Sequence, residues 1–199
     1  MYIPKSFEAS NQEEIFEFLS AHSLGTFILS QPELQACHLP FIVNQHNGSF
    51  VLETHLAKAN KQSQFTENEN ALVVFTGPNG YVSSSVYENV NAPTYNYQAV
   101  HISGIATKLT NDELLNHLTE LVAKNETGRV KQFHINQMPA AMLSDYLNEI
   151  VGVRIVSTKI EVAFKLSQNR NQKDFNAIID DLDANPANEA LISAMKKTR

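Results

Sequence analysis

Cysteine occurs once, at Cys37, so no disulfide can form within the chain and a cysteine-rich zinc or iron–sulfur site is excluded. Charge is sparse: 18% of residues are charged, against about 25% in an average domain. The 15 Lys+Arg and 21 Asp+Glu leave a formal net charge of −6. A chain with that balance presents no large basic face. Bulk DNA binding needs Lys and Arg to neutralise phosphates, so a nucleic-acid role would rest on a local patch or a partner. No apolar run approaches the ~20 residues of a membrane helix. The opening MYIPKSFEAS has no long apolar stretch behind Lys5, so it is not expected to act as a signal peptide. No membrane association and a cytoplasmic location are expected.

Several common motifs are missing as well. GxxxxGK[ST], GxGxxG after a strand, HExxH and GxSxG do not occur, which argues against a nucleotide hydrolase, a common dehydrogenase and a serine esterase. Gly77-Pro-Asn-Gly80 is read as a turn, since a phosphate loop would be longer and followed by Lys. Internal repeats and low-complexity tracts are absent too.

What is present is a 199-residue chain with 43% hydrophobic residues, enough for a globular core. The sequence Ser10-Asn-Gln-Glu13 fits a capping box opening a first helix, with Ile15, Phe16, Phe18 and Leu19 as its apolar stripe. Residues 26–30 and 36–43 read as two strands joined at a Gln31-Pro32-Glu33 turn. Asn47-Gly48 is a strong hairpin signal before a strand over 49–54. Residues 55–65 have the composition of a short helix, and 71–76 form a compact apolar strand. After the Gly77–Gly80 turn, another strand leads to Tyr87.

One long strand is expected over 95–109, with Gly104 at a bend or bulge. Thr110-Asn-Asp-Glu113 is a second capping box, opening a helix with Leu114, Leu115, Leu118, Leu121 and Val122 on one face. A short helix over 138–147 with Pro139 in its first turn, a β-branched strand over 150–166 and two helices, about 171–184 and 187–197, complete the chain. Strands and helices do not alternate. The pattern predicts a mainly β chain with α elements (α+β): a small barrel with helical decoration and a C-terminal helical extension.

The seven His residues (22, 38, 46, 55, 101, 117 and 134) show no ligand spacing. Partly buried rings satisfied by hydrogen bonds account for them more simply than a metal does, and no metal site is assigned. The acidic pairs Glu13/Glu14 and Asp180/Asp181 are helix neighbours pointing in different directions, as solvated faces do.

The segment Thr54-His55-Leu56-Ala57-Lys58-Ala59-Asn60-Lys61 stands out. It places lysines where a predicted helix begins, and no carboxylate occurs between Glu53 and Glu67. Helix N-termini are electropositive and normally attract Asp or Glu. Two readings are open: a phosphate held by backbone N–H groups, the Thr54 hydroxyl and Lys58, or a solvated helix tolerating its lysines at about 0.3–1 kcal/mol. Lys165-Leu-Ser-Gln-Asn-Arg170 is a second acid-free patch, where Gln168 and Arg170 either donate to a ligand or form an ordinary sheet exit. In Pro93-Thr-Tyr-Asn-Tyr97, Tyr95 and Tyr97 would share one strand face, suited equally to core packing and to stacking on a flat ligand.

Taken together, MYIPKSF, CHLPF (37–41), HLAKAN (55–60), FTGPNGYVS (75–83), PTYNYQAVH (93–101), IVGVRI (150–155) and KLSQNR (165–170) resemble the PaiB-type family of FMN-binding negative transcriptional regulators. The likeness runs through nearly the whole chain. Two large aromatics of the family pattern differ: PTWNY reads PTYNY with Tyr95, and Ser-Pro-Ser-Trp reads Ser83-Ser84-Ser85-Val86.

The resemblance implies a split β-barrel like that of pyridoxamine phosphate oxidase, over residues 1–170, with 171–199 as the C-terminal helical extension of the same domain. It further implies a homodimer with FMN between the subunits. Thr54, His55 and Lys58 would face the FMN phosphate and ring edge, with Asn60, Tyr97, Lys165, Gln168 and Arg170 as the other residues of the cofactor site. DNA, contacted directly or indirectly, is the implied partner. No catalytic residue is assigned.

Two other functions remain open from the sequence. One is a flavin-dependent oxidoreductase acting on a small molecule, with His38, His55 or His101 assisting proton transfer. The other is a haem-binding split barrel, for which no axial-ligand motif is evident.

Overall fold

Alternation of buried and more exposed side chains marks several of the seven strands in a computed structural model that describes residues 1–31, 33–46 and 48–199. In chain order the elements are α1 (Gln12–Ala21), β1 (Leu24–Leu29), β2 (Gln35–Pro40), β3 (Ile42–His46), β4 (Ser49–Ala57), β5 (Glu69–Val82) and β6 (Thr94–Lys108). There follow α2 (Asn111–Glu126), α3 (Ala140–Asn148), β7 (Ile150–Lys165), α4 (Gln172–Asp183) and α5 (Glu189–Lys196). The strands form one sheet in the order β2-β1-β5-β6-β7-β4-β3. Pairings β1–β2, β1–β5, β3–β4 and β4–β7 are antiparallel. This is the expected α+β class. Pro32 of the expected turn and Asn47 of the Asn-Gly hairpin lie outside the described residues.

Four local expectations are corrected. The cap of α1 is Asn11, whose side chain accepts from the backbone N–H groups of Glu13 (2.9 Å) and Glu14 (3.3 Å), and not Ser10. The strand expected over 36–43 is two strands. Pro40 is opposite Leu24 of β1, while Ile42 is already opposite Glu53 of β4. Phe41, fully buried, turns the chain between these two partners.

The helix expected over 55–65 does not form. Thr54–Ala57 instead continues β4 opposite Val153–Ile150 of β7. Thr54 and Leu56 point inward in register with Phe50 and Leu52. A single 3-10 turn, Lys61–Gln64, follows. Finally, Gly77–Gly80 is not a turn but part of β5. A Cβ on Gly77 would sit 2.6 Å from the Phe18 ring, and one on Gly80 2.8 Å from Leu191, so these glycines serve close packing.

The chain divides into two compact units. One comprises Met1–Phe18, Thr76–His101 and Glu161–Arg199. Its core gathers Phe18 and Phe164, whose rings lie 5.1 Å apart, with Val100 and Leu166. Phe175, Ile178 and Leu182 of α4 and Leu191, Ile192 and Met195 of α5 belong to it too. The spacing of 175, 178 and 182 gives α4 one apolar face, so a polar helix has a reason to dock.

The other unit comprises Leu19–Phe75 and Ile102–Ile160. Phe27, Phe41, Phe50, Leu52, Phe75, Ile102 and Ile155 fill its core, and Phe41 meets Phe75 edge-on. Helix α2 begins with the expected capping box. The Thr110 hydroxyl accepts from the Glu113 N–H, and the Glu113 carboxylate accepts from the Thr110 N–H at 2.8 Å.

Candidate functional site

Strand β4 and the turn after it carry four of the residues singled out in the sequence. Alternation sends Thr54 inward, where it is fully buried and its hydroxyl donates to the Pro40 carbonyl at 2.7 Å. That hydroxyl holds β4 to the end of β2. His55, on the opposite face, meets His117 of α2, with Nδ1 and Nε2 3.1 Å apart. Lys58 lies in the turn, where its N–H donates to the Glu149 carbonyl and its own carbonyl accepts from the Ser63 hydroxyl, both at 2.8 Å. The Lys58 ammonium is exposed and, like that of Lys61, has no ion pair with a described residue. Asn60 caps the 3-10 turn, accepting from the Gln62 N–H at 3.0 Å. Because no helix begins at Lys58, a helix dipole does not bear on it. What persists is uncompensated positive charge on a tightly bonded turn.

The same β4–α2 contact holds a second polar group. Arg154 of β7 bridges Glu53 of β4 (2.6 Å) and Glu113 of α2 (2.8 Å). Glu53 is two residues before His55, and Glu113 one helical turn before His117. An ion trio and a histidine pair thus join the same two elements in parallel. Hydrogen bonds from Thr110 and Arg154 hold the Glu113 carboxyl down to about 2. Burial, with the neighbouring His55 second, lowers His117 to about 4, and burial lowers His55 as well. Both rings are therefore neutral at pH 7. His117 was legible only as a polar residue interrupting the apolar stripe of α2; its contact with His55 spans 62 positions and left no local signal.

The remaining predicted residues belong to the other unit. Tyr95 and Tyr97 do share a face of β6, opposite the fully buried Asn96. Lys165 donates from Nζ to the Thr94 hydroxyl and lies over the Phe7 ring, 5.9 Å from its centre. Gln168 closes the turn after β7: its Nε2 donates to the Phe164 carbonyl at 2.6 Å, and its Oε1 accepts from the Leu166 N–H at 2.7 Å. The Arg170 guanidinium stacks on the Tyr87 ring at 4.7 Å.

Sequence reasoning missed the residues that join these segments. Asn96 Nδ2 donates to the Ser167 hydroxyl at 2.9 Å, and that hydroxyl returns to Asn96 Oδ1 at 3.1 Å, both side chains buried. The two sequence blocks PTYNY and KLSQNR meet at this reciprocal pair. Burial pushes the Cys37 thiol pKa up against the weaker opposing effect of the Asn60 side chain, which lowers its thiolate fraction. Among the described residues, no three His, Cys, Asp or Glu side chains group as a metal site would require. No described helix is long and apolar enough to cross a membrane.

Comparison with solved structures bears out the split-barrel fold. The FAD and heme binding protein of Mycobacterium smegmatis superposes with a TM-score of 0.58 at 15% identity, over 79% of this chain and 73% of that one. The flavocytochrome Anf3 of Azotobacter vinelandii gives 0.59 at 12% identity, over 88% and 78%. In sequence, the chain is 40% identical over 184 residues to the protease synthase and sporulation protein PAI 2 of Bacillus subtilis, covering 92% of this chain and 89% of that one. The PaiB-type resemblance is thereby borne out. A family model described as "Putative FMN-binding domain" matches residues 1–159, and the chain belongs to that family.

Proposed function

We propose that the protein is an FMN-binding negative regulator of transcription that works as a cytoplasmic homodimer. The observation that carries this reading is the 40% identity to PAI 2 across 92% of the chain, joined to the FMN-binding family match over residues 1–159. Residues 1–170 are the cofactor-binding domain of this reading and 171–199 its C-terminal extension. Its site residues are Thr54, His55, Lys58, Asn60, Tyr97, Lys165, Gln168 and Arg170.

The donor chemistry fits the cofactor. FMN brings a phosphate dianion, and the β4 turn offers Lys58 and Lys61 with no carboxylate from residue 54 to residue 66. The Lys58 N–H is already bonded to Glu149, so the ammonium, not the backbone, is the group available to the phosphate. Thr54 and Gln168 support the site by holding its backbone. Tyr95 and Tyr97 give a face on which a flat ring stacks. When bound, FMN supplies one- or two-electron redox chemistry that no side chain here provides.

The first test is the visible spectrum of the purified protein, with identification of the molecule released on denaturation. A flavin spectrum with FMN in the supernatant is expected; a colourless protein that also fails to take up added FMN overturns the reading. Lys58→Ala should weaken FMN binding about tenfold or more, the scale of a lost charge-assisted hydrogen bond. Unchanged affinity in a fluorescence titration would remove Lys58 from the site. The regulatory part predicts a salt-sensitive mobility shift with promoter DNA. Absence of any shift at low salt would make repression indirect.

A second reading, a flavin-dependent oxidoreductase, is favoured by the neutral His55–His117 pair near the Lys58 turn. Anaerobic bleaching of the flavin by a nicotinamide nucleotide would separate it from the regulator.

A further inference from the structure

The His55–His117 contact fixes more than packing. Two neutral imidazoles whose nitrogens are 3.1 Å apart share one proton, so one ring donates and the other accepts. His117 is 1% exposed, and its second nitrogen, Nδ1, is buried with no hydrogen-bond partner. If His55 Nδ1 carried the shared proton, His117 would have to carry its own on Nδ1, as an unmet buried donor. If His117 Nε2 carries it, Nδ1 is left as a bare lone pair. Buried N–H groups without a partner are rarer than unmet acceptors, and leaving one unmade carries its full desolvation cost. The second arrangement wins, and it dictates the state of His55. With Nδ1 accepting, His55 holds its proton on Nε2, which makes no hydrogen bond with another described residue, on a half-buried ring.

We propose that His117 is a positioning residue that locks His55 in the Nε2–H form, so that β4 presents one oriented imidazole donor to an oxygen or nitrogen acceptor of a bound flavin nucleotide. This rests on the reading of His55 as a cofactor-site residue. The charged groups around the pair do not compete for that role. Glu53 and Glu113, its neighbours on β4 and α2, are both engaged by Arg154 of β7. Burial keeps both rings neutral, so the donor persists across the physiological range.

The test uses the full chain with 15N-labelled histidine. Long-range proton–nitrogen correlation spectra of the FMN-free protein should show His55 protonated at Nε2 and His117 protonated at Nε2. A His55 proton on Nδ1 overturns the proposal. FMN titration then reads the consequence. His117→Leu removes the donor and should weaken FMN binding about tenfold while releasing the His55 tautomer. His117→Gln, whose amide N–H can replace the ring donor, should restore both. Equal affinity of wild type and His117→Leu, with FMN bound by each, overturns the positioning role. A wild type that binds no FMN overturns the proposed function instead, and the nitrogen spectra still decide which atom of His55 holds the proton. Should His117→Leu fail to fold, the wild-type spectra and His117→Gln carry the test.

Discussion

Ser167 adopts φ +59°, a left-handed conformation that costs a non-glycine residue free energy and persists only where neighbours enforce it. Its neighbour here is Asn96, bonded to it in both directions inside the core. Ser167→Ala leaves the Asn96 amide without these partners, and the expected loss is about 1–3 kcal/mol in urea unfolding. A midpoint unchanged from wild type would show that the pair does not hold the turn. At this scale the sequence was partly legible. The uncompensated lysines at 58 and 61 could be seen directly, because the missing carboxylates are a property of neighbours in the chain. That the Thr54 hydroxyl is bonded to Pro40, and the Gln168 amide to its own turn, could not be seen, since both depend on where a backbone carbonyl arrives in space.

Between residues and the whole lie the elements, and α2 shows how one side chain can serve two of them. Glu113 closes the capping box with Thr110 and pairs with Arg154 of β7. Thr110→Ala should cost about 1 kcal/mol, measurable by thermal or urea unfolding. The contact of α2 with β4 is also sensitive to acid. His117 is lowered from 6.5 to about 4, and His55 is lowered too, so the unfolded chain binds more protons between those values. Stability is fully present above pH 6.5 and falls as pH drops from 6.5 towards 4. His117→Gln should flatten that part of the stability–pH curve; a curve equally steep in both proteins would put the effect elsewhere. Glu113, lowered from 4.5 to about 2, acts in a separate window, with stability lost only as pH falls below 4.5. The α2 box was readable because its partners are three residues apart. The helix expected over 55–65 was misread because composition favoured it, while the β7 strand that claims Thr54–Ala57 lies almost a hundred residues onward.

For the whole molecule, the net charge of −6 and the sheet order set the terms. A homodimer predicts sedimentation at twice the chain mass, and a monomer at micromolar concentration would contradict it. Gly104, read from sequence as a bend, lies where a Cβ would come 2.4 Å from the Val156 carbonyl oxygen of β7. Since that obstacle is backbone, Gly104→Ala should cost about 1–3 kcal/mol, the scale of overpacking a filled interior. A variant as stable as wild type would mean that β7 shifts freely there.

Sequence alone determined what depends on neighbours in the chain: the α+β class, the apolar face of α2, the presence of the last two helices, the capping box at Thr110 and the cations without carboxylates. It also carried the family, because the order of short blocks survives without any knowledge of their contacts. Tertiary structure decided what depends on distant strands and helices arriving together. Pairing with β7 made strand out of an expected helix, and close packing made glycines of a supposed turn into part of β5. The meeting of β4 with α2 set two histidines face to face and, by leaving one buried nitrogen unpaired, determined which atom of His55 carries the proton.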